Sequence, residues 1–316
     1  MRRRRWCRGA VLGLLAIAVV GCAGAPTADV SEAELLAFRE VIQTGGLTDA
    51  DRAVIRMARI ELVGECMREK GWRYDVAASP GTDVELPPYS SSGSWRWDDV
   101  DLASRVGFGY AGLDLTNELG DGSETAVTEH DRYVDSLVGE ERERYYRDLN
   151  GSVDALVTVR FGDVEMTAAT DGCRAAADSE LFGSVEAAGE RVAVSNELRP
   201  TLRQEVEDSR EVKGAMREWA ACMDDRGLDF DHPDDAAEAA GERLRQAPDD
   251  PAARAFEIEL AVATAECNRE VGLRAVGEQV ELEVLADFHA RYADNVVAMR
   301  QVNEVALERA AAVVGT

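Results

Sequence analysis

The chain has 316 residues, with 61 Asp and Glu against 35 Lys and Arg, for a formal net charge of −26. That balance excludes nucleic acid as a partner, since a phosphate backbone is held by lysine and arginine, and it excludes electrostatic adsorption to anionic lipid. Hydrophobic residues make up 46% of the chain, enough to build one large core or two small ones.

The first 21 residues read as an export signal. Met1 to Arg5 with Arg8 is basic, Ala10 to Val20 is an uncharged apolar run, and Gly21 places a small residue before Cys22. A basic start, a short apolar run and a small-residue cut point describe a secretory signal, whereas a bilayer span needs about twenty apolar residues. Val19-Val20-Gly21-Cys22 resembles the bacterial lipobox. That resemblance implies diacylglyceryl on the Cys22 thiol, cleavage after Gly21, and a body lipid-anchored to the extracytoplasmic face of the membrane. The signal holds five arginines and no acid, so the remaining 295 residues carry −31.

Residues 22–30 form a short tether. Ser31 with Glu34 predicts a capping box opening a helix to about Gln43, Gly45-Gly46 ends it, and Thr48 with Asp51 opens the helix that carries Cys66. Residues 79–128 are an irregular insert, with Pro87-Pro88 and Ser90 to Ser94 ahead of Trp95, Trp97, Phe108 and Tyr110 among glycines. Helix is expected from His130 to Asn150 and around Phe161 to Ala177. After Gly189 a helix runs to about Arg199, Pro200 starts the one leading to Cys222, and Asp250-Pro251 opens the helix of Cys267. From Val276 to Val313 breakers are nearly absent, and Leu285, Phe288, Tyr292, Val296, Met299 and Val302 follow helical spacing. Only Val157 to Val159 and Val106 to Tyr110 look strand-like. The expected fold is mainly α with few or no strands. Residues 31–190 form a first helical unit carrying the insert, and residues 191–316 a second unit with a long C-terminal helix.

The two units share a motif. Cys66-Met67-Arg68-Glu69-Lys70-Gly71-Trp72-Arg73-Tyr74-Asp75 aligns without gaps on Cys222-Met223-Asp224-Asp225-Arg226-Gly227-Leu228-Asp229-Phe230-Asp231. Upstream, Ile60 and Val63 match Met216 and Trp219, which puts cysteine and methionine on one helical stripe. The basic residue then sits in the last turn, at the negative end of the dipole, and glycine takes the left-handed position that closes the helix. A second match, Ala-Thr-x-x-Cys, pairs Ala169, Thr170 and Cys173 with Ala263, Thr264 and Cys267, both in Ala-rich stretches read as helical.

Cys7 leaves with the signal and Cys22 takes the lipid, so Cys66, Cys173, Cys222 and Cys267 remain. Four cysteines in an oxidising compartment suggest two disulfides, with three connectivities open. None forms C-x-x-C, the spacing of redox and zinc sites. Pairing within units, Cys66–Cys173 and Cys222–Cys267, gives each unit its own staple; Cys66–Cys222 with Cys173–Cys267 is equally symmetric.

Cys-Met-x-x-basic-Gly followed by an aromatic and Asp is similar to a set of uncharacterised actinobacterial secreted lipoproteins with paired cysteines. So is Tyr133-Val134-Asp135-Ser136-Leu137 with Glu140-Glu141-Arg142 and Tyr145, leading to Gly172-Cys173-Arg174. The likeness covers most of residues 50–270 and departs at residues 231–235. It implies a location and a disulfide plan, and brings no activity and no catalytic residue.

Sites are weakly marked. His130, His232 and His289 are the only histidines and form no metal-binding spacing. Asp229, Asp231, His232, Asp234 and Asp235 could face a divalent cation but lack the glycine and terminal Glu of an EF-hand loop. A solvated turn is the better reading. No G-x-S-x-G, phosphate-binding loop or dinucleotide fingerprint occurs, and the residues point to no cofactor. Trp95 and Trp97, in a Gly/Ser-rich loop, are the candidate recognition surface for a glycan or partner protein; alternatively these rings pack the loop onto the helices. The expectation is a non-enzymatic module that binds an envelope protein or cell-wall component. A substrate-binding lipoprotein of a transporter is the alternative, although such proteins usually have two α/β lobes, and a peptidoglycan-active enzyme stands third.

Overall fold

A computed structural model describes residues 30–74, 93–110 and 128–315. The export signal and Cys22, like residues 75–92 and 111–127 of the insert, lie outside the described residues. In chain order the elements are α1 (Glu32–Thr44), α2 (Asp49–Glu69), a single 3-10 turn (Ser94–Arg96), α3 (Val100–Val106), α4 (Glu129–Ser136), α5 (Glu140–Asn150), β1 (Leu156–Phe161), β2 (Val164–Ala169), α6 (Gly172–Phe182), α7 (Val185–Glu207), α8 (Arg210–Asp225), α9 (Pro233–Gln246), α10 (Pro251–Val271) and α11 (Leu273–Val314). The fold is mainly α.

Helix starts follow local chemistry. Ser31 and Glu34 close a capping box on α1, Thr48 and Asp51 close one on α2, and Asp250 caps α10 ahead of Pro251. The duplicated motif closes α2 and α8 in the same way. The Trp72 N–H donates to the Met67 carbonyl at 3.0 Å and the Gly71 N–H to that of Arg68; Leu228 and Gly227 do the same to Met223 and Asp224. Gly71 and Gly227 hold φ of 87° and 76°, a conformation open to glycine, and this pair of bonds satisfies carbonyls that helix ends leave orphaned. In each copy the methionine is fully buried beside its cysteine pair.

Cys66 joins Cys173 with Cα atoms 5.6 Å apart, and Cys222 joins Cys267 at 5.8 Å. The Ala-Thr-x-x-Cys match is not structural. Ala169 ends β2 and Thr170 lies in a bend, whereas Ala263 and Thr264 are inside α10.

α11 runs 42 residues, about 60 Å at 1.5 Å per residue, and serves as a wall for everything else. Leu273 and Val280 join the core of the second unit, Leu285, Phe288, Val296 and Met299 a central core with α1 and α7, and Ala306 and Ala310 a core with α2 and α6.

Several expectations change, among them the strand-like reading of Val106 to Tyr110, where α3 ends in turns. Phe161 to Ala177 is not helical throughout: β1 and β2 pair antiparallel, with Phe161 opposite Val164 across Gly162-Asp163, and helix begins only at Gly172. The expected helix from His130 to Asn150 breaks at Leu137, which turns extended to fill the first unit's core, and at Gly139 with φ 56°. Pro200 does not start a helix; α7 runs through it. Leu198 and Leu202 flank it in the central core, and the Arg199 and Thr201 side chains donate to the Ser195 and Glu197 carbonyls near the backbone bond proline cannot make. The boundary between residues 190 and 191 therefore falls inside one helix, and the described part of the insert, 93–110, packs on the second unit rather than the first.

On the chain-entropy model each disulfide closes a loop worth about 4–5 kcal/mol. Replacing Cys66 and Cys173 together by Ser should lower the melting temperature by about 10 °C or more. Calorimetry checks this, and non-reducing peptide mapping should recover both intra-unit links.

Candidate functional site

Trp95 and Trp97 are not a surface. They are 1% and 2% exposed. Trp95 lies flat on Gly277 of α11, where a Cβ would come within 2.3 Å of its ring. The Trp97 indole N–H donates to the Ala261 carbonyl at 3.2 Å, and the Asn268 amide of α10 donates to the Ser94 and Trp97 carbonyls at 3.0 and 2.6 Å. Arg96, between them, stacks on Trp95 and pairs with Glu278 and Glu281. Two large rings beside small residues gain more by filling the second unit's core than by facing water.

The acidic turn is a helix start. His232 Nδ1 accepts the Asp234 N–H at 3.1 Å to cap α9, and Pro233 takes the first helical position. Glu207, at the end of α7, comes near, and among the described residues Glu207, His232 and Asp234 are the group that could hold a metal ion, with one ligand atom each within 4.8 Å of the others. The other histidines are elsewhere: His130 Nε2 contacts the Tyr145 hydroxyl at 3.2 Å, and His289 packs edge-on against Phe38.

The structure brings together a different set of residues. A cleft of about 840 Å³ opens between the α1–α2 turn, α2, β2, α6, α7 and α11, within the size range of small-molecule sites. Leu47, Ile55, Phe182, Val185 and Met299 line it and are buried. Around them stand Arg52, Arg56, Arg59, Arg191 and Arg199, against only Asp49 and Asp178 as acids. In a chain of net charge −26, this lining reverses the sign.

Two of the arginines are committed. Arg52 donates to the Leu47 and Thr44 carbonyls and pairs with Asp49. Arg59 grips Asp178 with two bonds of 2.5 and 2.9 Å, and that hydrogen bonding raises its already high pKa. Arg56, Arg191 and Arg199 have no carboxylate partner among the described residues. Arg191 is the most confined. Its Cζ lies 4.2 Å from the Phe182 ring centroid, its Nε is shut from solvent without an acceptor, and burial holds its pKa down against the pull of Asp178. A guanidinium stays protonated under such conditions, so it is a half-buried cation lacking an anion, an arrangement that favours a bidentate carboxylate or phosphate.

The sequence carried a signal for this site that composition hid. Arg52, Arg56 and Arg59 fall at i, i+4 and i+7 on α2, and Arg191 and Arg199 at i and i+8 on α7; each set shares a helix face. Comparison with protein-family models, with characterised proteins and with solved structures returns no match to this chain.

Two outcomes follow. Trp97→Ala should cost about 3–5 kcal/mol of stability, measured by denaturant unfolding. Glu207 has its carboxyl pKa raised by burial, which outweighs the lowering pull of Arg203 and is reinforced by the push of Asp234. The folded chain thus holds that proton more tightly than the unfolded one, and stability is lost as pH rises through the folded value. Glu207→Gln should raise the melting temperature at pH 7 by about 1–3 °C, and the gain should vanish below pH 4.

Proposed function

We propose that this chain is a non-enzymatic binding module of the cell envelope, anchored by lipid on Cys22, whose ligand sits in the arginine-lined cleft. The anchor rests on the order of basic run, apolar run, Gly21 and Cys22. Consistent with a peripheral attachment, no helix among the described residues is long and apolar enough to cross a membrane.

The observation that carries the ligand site is Arg191, a half-buried guanidinium that forms no ion pair among the described residues and whose Nε has no acceptor. A concave seat of this size suits a small-molecule ligand better than a flat protein partner. The same cleft would serve a substrate-binding lipoprotein that delivers its ligand to a transporter, which is the second reading.

Labelling cells with radioactive palmitate should mark the wild type and leave Cys22→Ala unlabelled and released from the membrane fraction. Pyrophosphate should raise the melting temperature of the wild type and have less effect on Arg191→Met; equal responses would remove the cleft from the reading.

A further inference from the structure

We infer that the occupant of the cleft is a single-chain amphiphile, its carboxylate or phosphate head on the free arginines and its hydrocarbon chain along the apolar floor. This deepens the reading of the cleft as the ligand site and rests on it. Three observations converge.

The first is how the two kinds of lining residue are distributed. Arg56 and Arg199 are exposed and Arg191 half-buried, whereas Ile55, Phe182, Val185 and Met299 are all under 9% exposed. The cleft therefore has an apolar floor and a cationic rim. An inorganic anion would touch the rim alone; a chain with an anionic end touches both rim and floor. The second is volume. About 840 Å³ exceeds what a phosphate or a short carboxylate fills and accommodates a chain of ten or more carbons, within the range of drug-sized ligand pockets. The third is the cations themselves. Arg191 is built into the wall, with its guanidinium stacked on Phe182, so its planar fork is held in place before any ligand arrives, and fixed forks favour a carboxylate or phosphate over a neutral group. Arg59 and Arg52, held by Asp178 and Asp49, keep those two acids from neutralising the rim.

A hydrocarbon chain in such a floor has a signature. Each buried methylene tightens binding about fourfold, so affinity should climb with chain length until the cleft is full. An anion held by charge alone shows no such climb.

The test uses the chain from residue 22 onward carrying Cys22→Ser, which keeps every described residue, and displacement of the fluorescent probe 11-(dansylamino)undecanoate. Octanoate, decanoate and dodecanoate should displace it with affinity rising about 15-fold at each two-carbon step while the cleft fills, and dodecyl phosphate should compete alongside. Dodecyltrimethylammonium, with the same tail and the opposite head, should fail. Arg191→Met should weaken dodecanoate tenfold or more, Arg191→Lys less, and the exposed Arg56→Gln provides a second variant that keeps the packing intact. Pyrophosphate that binds and needs Arg191, with a flat chain-length series, would overturn the amphiphile and leave the cleft as an anion site. A folded protein, both disulfides formed, that binds neither pyrophosphate nor carboxylate would overturn both readings. Equal binding of the ammonium amphiphile would overturn the role of the arginines.

Discussion

The structure depends on covering one helix along its whole length. α11 carries 42 residues, and its buried positions recur at helical spacing along one stripe that meets a different partner at each level. Leu273 and Val280 answer the second unit, Leu285 to Met299 the central core, and Ala306 with Ala310 the first unit. An isolated helix of this length would leave that stripe wet from end to end, and most helical stability in proteins comes from packing rather than propensity. Each shorter helix therefore supplies cover to a different stretch, and two polar ties, one to a carbonyl and one to a carboxylate, reinforce it. Asn303 donates to the Gly45 carbonyl in the α1–α2 turn at 2.8 Å, and Glu281 receives both Arg39 from α1 and Arg96 from the insert.

This arrangement explains what the residues disclosed in advance. The closure of α2 and α8 at Gly71 and Gly227 was legible, because cysteine, methionine, base and glycine each have a local reason at their spacing. The same duplication favours the observed disulfide partners without excluding the equally symmetric cross-unit pairing. The hairpin was not legible as a whole. Val157, Val159 and Phe161 alternate, but Glu165 to Ala169 reads equally well as helix, and what decides is α7. Gly189 leaves room there for Val159, whose methyl would lie 2.8 Å from a Cβ at that position, and Glu197 receives the Asp163 N–H. Those contacts are 30 or more residues away in sequence, beyond any local pattern. Pro200 misled for the same reason: a proline inside a helix costs about 3 kcal/mol, and the leucines on either side of it outweigh that only once the central core exists.

Trp95 and Trp97 illustrate the limit of composition. Glycines and serines around aromatic rings suggest an exposed loop, yet the rings need small partners, and Gly277 and Ala261 supply them from helices some 180 residues on. The described part of the insert, residues 93–110, belongs in space to the unit that follows it rather than to the first. The arginines of the cleft were hidden in the opposite way. Individually each reads as a solvated helix face, and only the approach of α2 to α7 across β2 and α6 turns two faces into one lining.

That lining sits in an adverse field. An anionic ligand approaching the body that follows the signal, of charge −31, is repelled at long range, and the repulsion is screened beyond about 8–10 Å at physiological ionic strength. The arginines can therefore act only on what has already arrived, and they do so where the floor lowers the local dielectric and strengthens the pairing. A ligand held by charge alone would lose affinity steadily as salt rises, since the guanidiniums are its whole anchorage. A ligand with an apolar chain is less exposed to that loss, because burial of the chain is not screened and salt also relieves the repulsion on approach. The acidic body and the cationic cleft thus fit together physically: the first keeps anionic surfaces and polyanions at a distance, and the second retains the small anion whose apolar part can bind the floor.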